Sequence, residues 1–290
     1  MLKRTAILGA LLVSAPTSAK DVPWFQSNTP LTQAHKHLLN NDLPAMFSSL
    51  VEVWQLEKNQ TITPHLNDLL LQSLEVDCGK SLDTKPLPAW LHSVIVRRTD
   101  IQRPGRDSYR ASVEIESRID ISDISLTKWV SRSLTNDNSL TTFKVSDTLT
   151  KYIKRYNINS RMAMGLYRID VTGSDNSTWS SWLVLGEDKA KVTVRWQSKD
   201  QWKVEKNALL NPHCPLPKLD VSLYDFVDGK YNRVWGKVYE SDYPSTIDSD
   251  AAQPGRYVLA VAVNQTRWQG PIIVEQSQTI SKTYDVSLEE

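Results

Sequence analysis

Apolar side chains recur at helical spacing in the first quarter of the chain. Two sets share the i, i+3, i+4, i+7 spacing that places side chains on one helix face: Phe47, Leu50, Val51 and Trp54, and Leu66, Leu69, Leu70 and Leu74. A capping residue followed by proline in the first turn marks three starts, at Thr29-Pro30, at Asp42 with Pro44, and at Thr63-Pro64. The sequence therefore predicts a helical layer over residues 20–77.

After Cys78 the apolar positions alternate with polar ones, as in strands. Val94 and Val96, followed by Val113 and Ile115 beyond a turn at 103–107, predict a hairpin. Further strands are predicted at 166–171, 182–185, 192–196, 202–204, 234–239, 257–263, 272–274 and 283–286. One helix is predicted to interrupt them, with Asp147 as its cap and an apolar stripe of Leu149, Tyr152, Ile153 and Tyr156.

The β-rich region contains an internal similarity. Residues 165–171 and 255–261 share a Gly-x-Tyr-x-apolar-x-Val pattern, and a tryptophan follows each, Trp179 and Trp268. This pattern resembles the strand of immunoglobulin-like sandwiches whose tyrosine hydroxyl ties down a corner. We predict an α+β, mainly β fold: a helical layer followed by two tandem immunoglobulin-like β-sandwich units, 78–210 with a helical insertion and 211–290. Chance likeness between amphipathic strands is the alternative.

The first nineteen residues have the order of a secretory signal. Lys3 and Arg4 precede an apolar run over 6–13, and Thr17-Ser18-Ala19 supplies small residues for cleavage after Ala19. The run is too short for a membrane anchor, which needs about 20 apolar residues. We expect a periplasmic or extracellular protein with no membrane span after cleavage. In that oxidising compartment Cys78 and Cys214 predict one disulfide, with two buried free thiols as the alternative.

Composition and motif spacing remove several classes of function. The 34 basic residues nearly balance the 33 acidic residues, so no overall charge attracts nucleic acid. No two of the ten glycines are closer than Gly229 and Gly236, which excludes the phosphate-binding glycine motifs and the Gly-x-Ser-x-Gly nucleophile elbow. We expect no cofactor. His35 and His37 fall on different helix faces and make poor partners for one metal, so no metal site is predicted.

Three groups of residues are candidates for chemistry or binding. Glu114 and Glu116 share a strand face and could form the acid pair of a cell-wall hydrolase, although we favour a solvated strand face as the explanation. Aromatic side chains that could stack on sugar rings, or pack in the core, are Trp179, Trp182 and Trp268. Guanidinium groups that could bind an anionic partner, or cover a solvated hairpin, are Arg97, Arg98, Arg103, Arg106 and Arg110.

The stretch from Pro30 to Gln55, PLTQAHKHLLNNDLPAMFSSLVEVWQ, with a signal ahead of it and strands behind, resembles an uncharacterised family of exported gammaproteobacterial proteins. Some members are encoded beside an envelope-sensing histidine kinase system. The resemblance implies a periplasmic protein with an envelope role and transfers no functional residue. We expect a non-enzymatic protein-interaction or adaptor protein with a role in envelope stress signalling. The alternatives are a module that binds cell-wall or surface polysaccharide and, less favoured, the hydrolase.

Overall fold

A computed structural model describes residues 28–56, 60–129, 140–186, 191–248 and 252–286. The predicted signal peptide, including its cleavage site after Ala19, lies outside these residues. The three predicted helices are confirmed as α1 (Pro30–Leu39), α2 (Leu43–Leu56) and α3 (Thr63–Asp77), with a short 3-10 turn at Gln60–Ile62 before α3. The described part of the chain is mainly β, as predicted.

The helix ends show why these segments are helical. The Thr29 hydroxyl accepts a hydrogen bond from the Thr32 backbone N–H at the start of α1, and the Asp42 carboxylate accepts one from Ala45 at the start of α2. At α3 the predicted cap, Thr63, lies one residue inside the helix, and the preceding residue makes no side-chain cap. The helix ends where Cys78 adopts a left-handed conformation with φ of 63°.

Thirteen strands are present in the described residues. In chain order they are β1 (Leu91–Arg103), β2 (Arg106–Ser117), β3 (Ile121–Lys128), β4 (Leu140–Ser146), β5 (Leu149–Ile158), β6 (Gly165–Gly173), β7 (Thr178–Leu185), β8 (Val192–Trp196), β9 (Trp202–Lys206), β10 (Lys218–Val227), β11 (Lys230–Tyr239), β12 (Gly255–Gln269) and β13 (Ile272–Val286). The predicted hairpin is confirmed as β1–β2, with Val94 opposite Ile115 and Val96 opposite Val113.

Eight strands form one large sheet in the order β11-β10-β12-β13-β1-β2-β5-β4. Its centre is a parallel pairing of β1 with β13, from Val94 opposite Ile272 to Gln102 opposite Ile280. All the other neighbours in this sheet are antiparallel. The first strand of the fold is thus hydrogen-bonded to the last.

The helix predicted from Asp147 is wrong, because residues 149–158 form strand β5. The apolar stripe that suggested a helix also contains an alternation: Tyr152, Lys154 and Tyr156 are all buried on one face. The Tyr152 hydroxyl donates to Asp120, and the strand is hydrogen-bonded to β2 on one side and to β4 on the other. The sequence of this segment fits both a helical and a strand pattern, and hydrogen bonding to two neighbouring strands favours the strand.

The structure does not confirm two tandem immunoglobulin-like units, because strands from both sides of residue 210 share the large sheet. The local similarity is nevertheless structural. Tyr167 donates a hydrogen bond to the carbonyl of Ala163, and Tyr257 donates one to that of Gln253, each four residues upstream. Both tyrosines therefore tie down a corner as the pattern predicted. The domain boundary at 210/211 stays a prediction.

Two smaller sheets, β3-β6-β7 and β8-β9, pack on the same face of the large sheet and bury two hydrophobic cores. The helices form a further layer: Leu50 and Leu66 pack with Leu166 and Val184, which project from the opposite side of β6 and β7. The order of layers is therefore helices, small sheet, large sheet. The other face of the large sheet carries none of the three cores.

Two glutamine side chains attach the small sheets to the β12–β13 hairpin. Gln269 accepts from the Val184 backbone N–H at 2.9 Å and donates to the Trp182 carbonyl at 2.7 Å. Gln278 accepts from the Val194 N–H at 3.0 Å and donates to the Val194 carbonyl at 3.1 Å. Each side-chain amide thus takes the place of a strand's peptide group beside β7 or β8. We call these two contacts the glutamine clamps.

The predicted disulfide joins Cys78 to Cys214, with 5.1 Å between their Cα atoms. Cys78 ends α3, and its carbonyl accepts a hydrogen bond from the Trp268 backbone on β12. Near Cys214, the Asn211 side chain donates to the Leu74 carbonyl. The bridge therefore fastens the helical layer both to the large sheet and to the segment that leads into β10.

Replacing both cysteines, Cys78→Ser with Cys214→Ser, is expected to destabilise the protein by up to about 5 kcal/mol, because the bridge closes a long loop in the unfolded chain. Urea unfolding of the oxidised wild type, the reduced wild type and the variant measures the loss. If all three unfold at the same urea concentration, the bridge does not stabilise the fold.

Gln278→Leu is expected to lower the free energy of unfolding by about 2 kcal/mol, because the peptide groups of Val194 lose both partners. The matched control is Gln201→Leu, which changes an exposed side chain in the turn before β9. Urea unfolding compares the two variants. Equal midpoints would show that the clamp on β8 is dispensable.

Candidate functional site

The candidate site is the open face of the large sheet, opposite the cores. Several of its side chains are buried although neither smaller sheet packs on them: Ser222 is 3% exposed, Ser277 5%, Ser281 7% and Ile101 8%. Serine, threonine and alanine make up much of the centre of this face, on β12 and β13. We call this face of the curled sheet the trough.

An ion network occupies part of the trough floor. Arg97 on β1 is hydrogen-bonded to Glu114 on β2 and to Glu275 on β13, the latter at 2.7 Å. Lys151 on β5 is 3.0 Å from the second oxygen of Glu114. Burial acts to lower the pKa of Arg97, but the two carboxylates outweigh it and raise that pKa. This network joins four strands, and the Arg97 guanidinium is occupied by structural ion pairs.

Four other arginines stand at one end of the trough. Arg103 and Arg106 face each other across the Pro104-Gly105 turn, Arg110 follows on the same face of β2, and Arg155 on β5 lies diagonally beside it. All four are exposed, and in the described part of the chain none makes an ion pair. Like charges placed opposite each other destabilise a sheet. We call this group the arginine cluster.

Charged and aromatic side chains from several strands influence Arg110. Desolvation, Arg103 and Arg155 lower the pKa of Arg110, while Tyr224 and Tyr231 act in the opposite direction. Four strand spacings separate β10 from β2, about 19 Å in a flat sheet. An interaction across that distance fits a curved sheet in which β10 and β11 turn toward the arginine cluster.

The wall formed by β10 and β11 is apolar and aromatic. Phe226 and Tyr231 stand opposite each other, with ring centroids 4.8 Å apart, and both are more than half exposed. The hairpin turns at Asp228-Gly229, both with positive φ, as a tight two-residue turn requires. Val227, Val234 and Val238 add exposed apolar surface along this edge of the sheet. Near the trough end, the hydroxyl oxygen of partly exposed Ser108 is buried and has no hydrogen-bond partner among the described residues.

Arg98 does not share the surface of the other predicted arginines. It follows Arg97 directly, so it projects to the opposite side of β1, where it donates to the Gly186 carbonyl at 2.9 Å and to the Gln276 side chain at 2.6 Å. There it lines a cavity of about 310 Å³ beside Cys214 and the leucines of α3. Of the five predicted arginines, the structure brings Arg103, Arg106 and Arg110 together at the arginine cluster.

The three predicted tryptophans do not form one platform. Trp179 and Trp182 both lie on β7 but on opposite faces: Trp179 packs against the core of the large sheet and Trp182 against the helical core. Trp268 lies on β12, where the Lys80 ammonium is 4.9 Å from its ring centroid. A different exposed aromatic contact exists, because Trp129 meets Trp182 edge-on at 5.1 Å between centroids.

The two predicted carboxylates, Glu114 and Glu116, have different surroundings. Glu114 is buried and bound by Arg97 and Lys151, whereas Glu116, on the same strand face, is half-buried. Both oxygens of Glu114 are therefore occupied by the ion network, whereas Glu116 stands outside that network.

The histidines include one contact that the sequence analysis missed. His35 on α1 and His65 on α3 approach with 2.7 Å between their Nε2 atoms, while His37 lies beside Asp42. Burial, and then the neighbouring His65, lower the pKa of His35. Only the packing of α1 near α3 creates this pair.

A family model described as a protein of unknown function, DUF2861, matches residues 24–285. The chain belongs to the DUF2861 family. This agrees with the uncharacterised family expected from the sequence, and the family description assigns no enzymatic activity. No curated protein matches the chain. Among the described residues, no helix is both long enough and apolar enough to cross a membrane.

Sequence reasoning missed Arg155, Tyr224, Phe226 and Tyr231 as members of the surface. Arg155 lies on β5, in the segment that the sequence predicted to be a helix, and the β10–β11 side chains come close only through the curl of the sheet. The alternation of a strand could have separated Arg97 from Arg98 and Trp179 from Trp182, because odd spacings fall on opposite faces.

Trp179→Ala is expected to destabilise this DUF2861 protein by about 3 kcal/mol, because the indole packs against the core of the large sheet. Trp129→Ala, which removes an indole that is 40% exposed, serves as the comparison and should cost about 1 kcal/mol or less. Thermal unfolding followed by tryptophan fluorescence and circular dichroism measures both. Equal losses would place Trp179 outside the core.

Proposed function

We propose that this protein is a non-enzymatic adaptor of the cell envelope that binds an acidic partner protein in the trough of its large sheet. The observation that carries the proposal is the arginine cluster: four exposed guanidinium groups gathered by β1, β2 and β5 with no carboxylate among the described residues to neutralise them. Such a group costs stability through mutual repulsion unless a partner supplies negative charge.

The composition of the surrounding surface favours a protein partner. Exposed Phe226 and Tyr231 extend the surface beyond the arginines, and aromatic residues with arginine are the side chains that interfaces concentrate. Strand β11 is at the edge of the sheet and exposed along most of its length. An extended acidic segment could therefore contact arginines through carboxylates and the aromatic wall through apolar side chains.

The envelope location rests on two supports. The disulfide between Cys78 and Cys214 fits an exported protein, since such bridges persist in oxidising compartments. The signal-like order of residues 1–19 gives the route of export. A periplasmic adaptor with a role in envelope stress signalling is the form of this proposal that agrees with the family resemblance.

Polysaccharide binding is the second candidate, and one observation favours it. Trp129 and Trp182 form an edge-to-face pair, with the Arg168 guanidinium 5.9 Å from the Trp182 ring centroid. This pair lies beside the helical core, away from the arginine cluster. The two candidates therefore predict different sensitive residues.

The test compares the wild type with a double variant that carries both Arg110→Gln and Arg155→Gln. Oxidised protein is used to capture partners from envelope extract and to bind poly-glutamate as a defined acidic polypeptide. We expect binding of poly-glutamate to weaken about tenfold in the variant and to weaken in both proteins between ~0.05 M and ~0.5 M salt. A protein captured by the wild type should be lost from the variant.

The matched control is Arg195→Gln with Lys206→Gln, which removes the same charge from β8 and β9 on the other side of the large sheet. The control should bind as the wild type does. Equal weakening in both variants would show that the loss of net charge alone causes the effect. The arginine cluster would then not be the binding site. Capture of polysaccharide that is lost in Trp129→Ala, but kept in the arginine variant, would support the second candidate.

A further inference from the structure

We propose that His35 and His65 form a binding site for a divalent transition-metal ion, of the class of Zn²⁺ or Cu²⁺, that links α1 to α3. The site is independent of the trough and of the function proposed for it. The observation that carries it is the convergence of two imidazole Nε2 atoms from different helices to 2.7 Å.

The two rings meet nearly head to head. Their centroids are 4.8 Å apart and their planes differ by 33°, so each Nε2 points toward the other ring's Nε2 rather than past it. Without a metal, one nitrogen can donate a proton to the other in a single hydrogen bond. With a metal, both nitrogens would act as electron-pair donors to the same ion.

Only a small movement separates these two arrangements. Zinc–imidazole bonds are about 2.0–2.1 Å long, which places two nitrogens of a tetrahedral site about 3.3 Å apart. The two nitrogens would therefore separate by about 0.6 Å, and each ring would turn by about 35° so that both lone pairs meet at the ion. Side-chain rotation of the two histidines provides this change. The exposed position of His65 leaves solvent access for the ion and for water as its remaining ligands.

The backbone that carries the pair is fixed by packing. Ala34 and Leu66, the neighbours of His35 and His65 in sequence, are both fully buried in the helical core. The histidines thus project from anchored turns of α1 and α3, and the ion would meet a largely preformed pair. Among the described residues, no third His, Cys, Asp or Glu joins them. The site is therefore a two-histidine site, in which soft or borderline metals are favoured over Ca²⁺ and Mg²⁺.

The experiment titrates ZnCl₂ into the purified oxidised protein, prepared without a histidine tag, and measures the melting temperature. We expect a saturable rise of ~3 °C that EDTA reverses, because an ion that binds only the folded state stabilises it. CaCl₂ at the same concentration should produce no rise. The same protein with Cu²⁺ should give an electron paramagnetic resonance spectrum with nitrogen coupling from imidazole.

The variants are His35→Gln and His65→Gln, with His37→Gln and His92→Gln as matched controls on α1 and β1. The first two should reduce Zn²⁺ affinity at least tenfold, and the controls should keep it. Because glutamine also alters the helix contact, the metal-induced shift is compared within each variant rather than the absolute melting temperature. A shift that persists in the double variant His35→Gln with His65→Gln, or no shift in the wild type at ~1 mM Zn²⁺, would overturn the proposal.

Discussion

The parallel pairing of β1 with β13 is the constraint on which the rest of the structure depends. It joins the strand that follows the helical layer to the strand that ends the described chain, and so unites two groups of hairpins in one sheet. The trough exists because β12, β13 and β1 form its floor between the β10–β11 wall and the arginine cluster. Without this pairing the two walls would belong to separate bodies with no fixed distance between them.

Local features of the fold could be predicted because short stretches of sequence determine them. Caps and prolines fixed the helix starts, alternation around a Pro-Gly turn fixed the β1–β2 hairpin, and one tyrosine in each similar segment ties down a corner. The order of strands could not be predicted, since alternation states which face is apolar but not which strand is the neighbour. Residues 149–158 were mispredicted for a related reason. Leu149, Tyr152, Ile153 and Tyr156 have the spacing of a helix, but hydrogen bonding to β2 and β4 makes the segment a strand.

The candidate site was also predictable from the sequence only in part. The sequence alone shows many arginines on one predicted hairpin, and three of the five predicted arginines do meet on one surface. Arg98 belongs to the other face, and Arg155 and the tyrosines join only through tertiary structure. Pairs such as His35 with His65 depend entirely on how two helices pack, so no spacing rule in the sequence could have indicated them.

The glutamine clamps have a consequence for the conditions under which the fold persists. An amide carries no net charge, so it neither titrates nor attracts counter-ions. Gln269 and Gln278 hold the two small sheets by such groups, at places where carboxylates or ammonium groups would respond to their surroundings. For the exported protein proposed above, the surrounding medium would set the acidity and the salt concentration. These two contacts are built from groups that respond to neither.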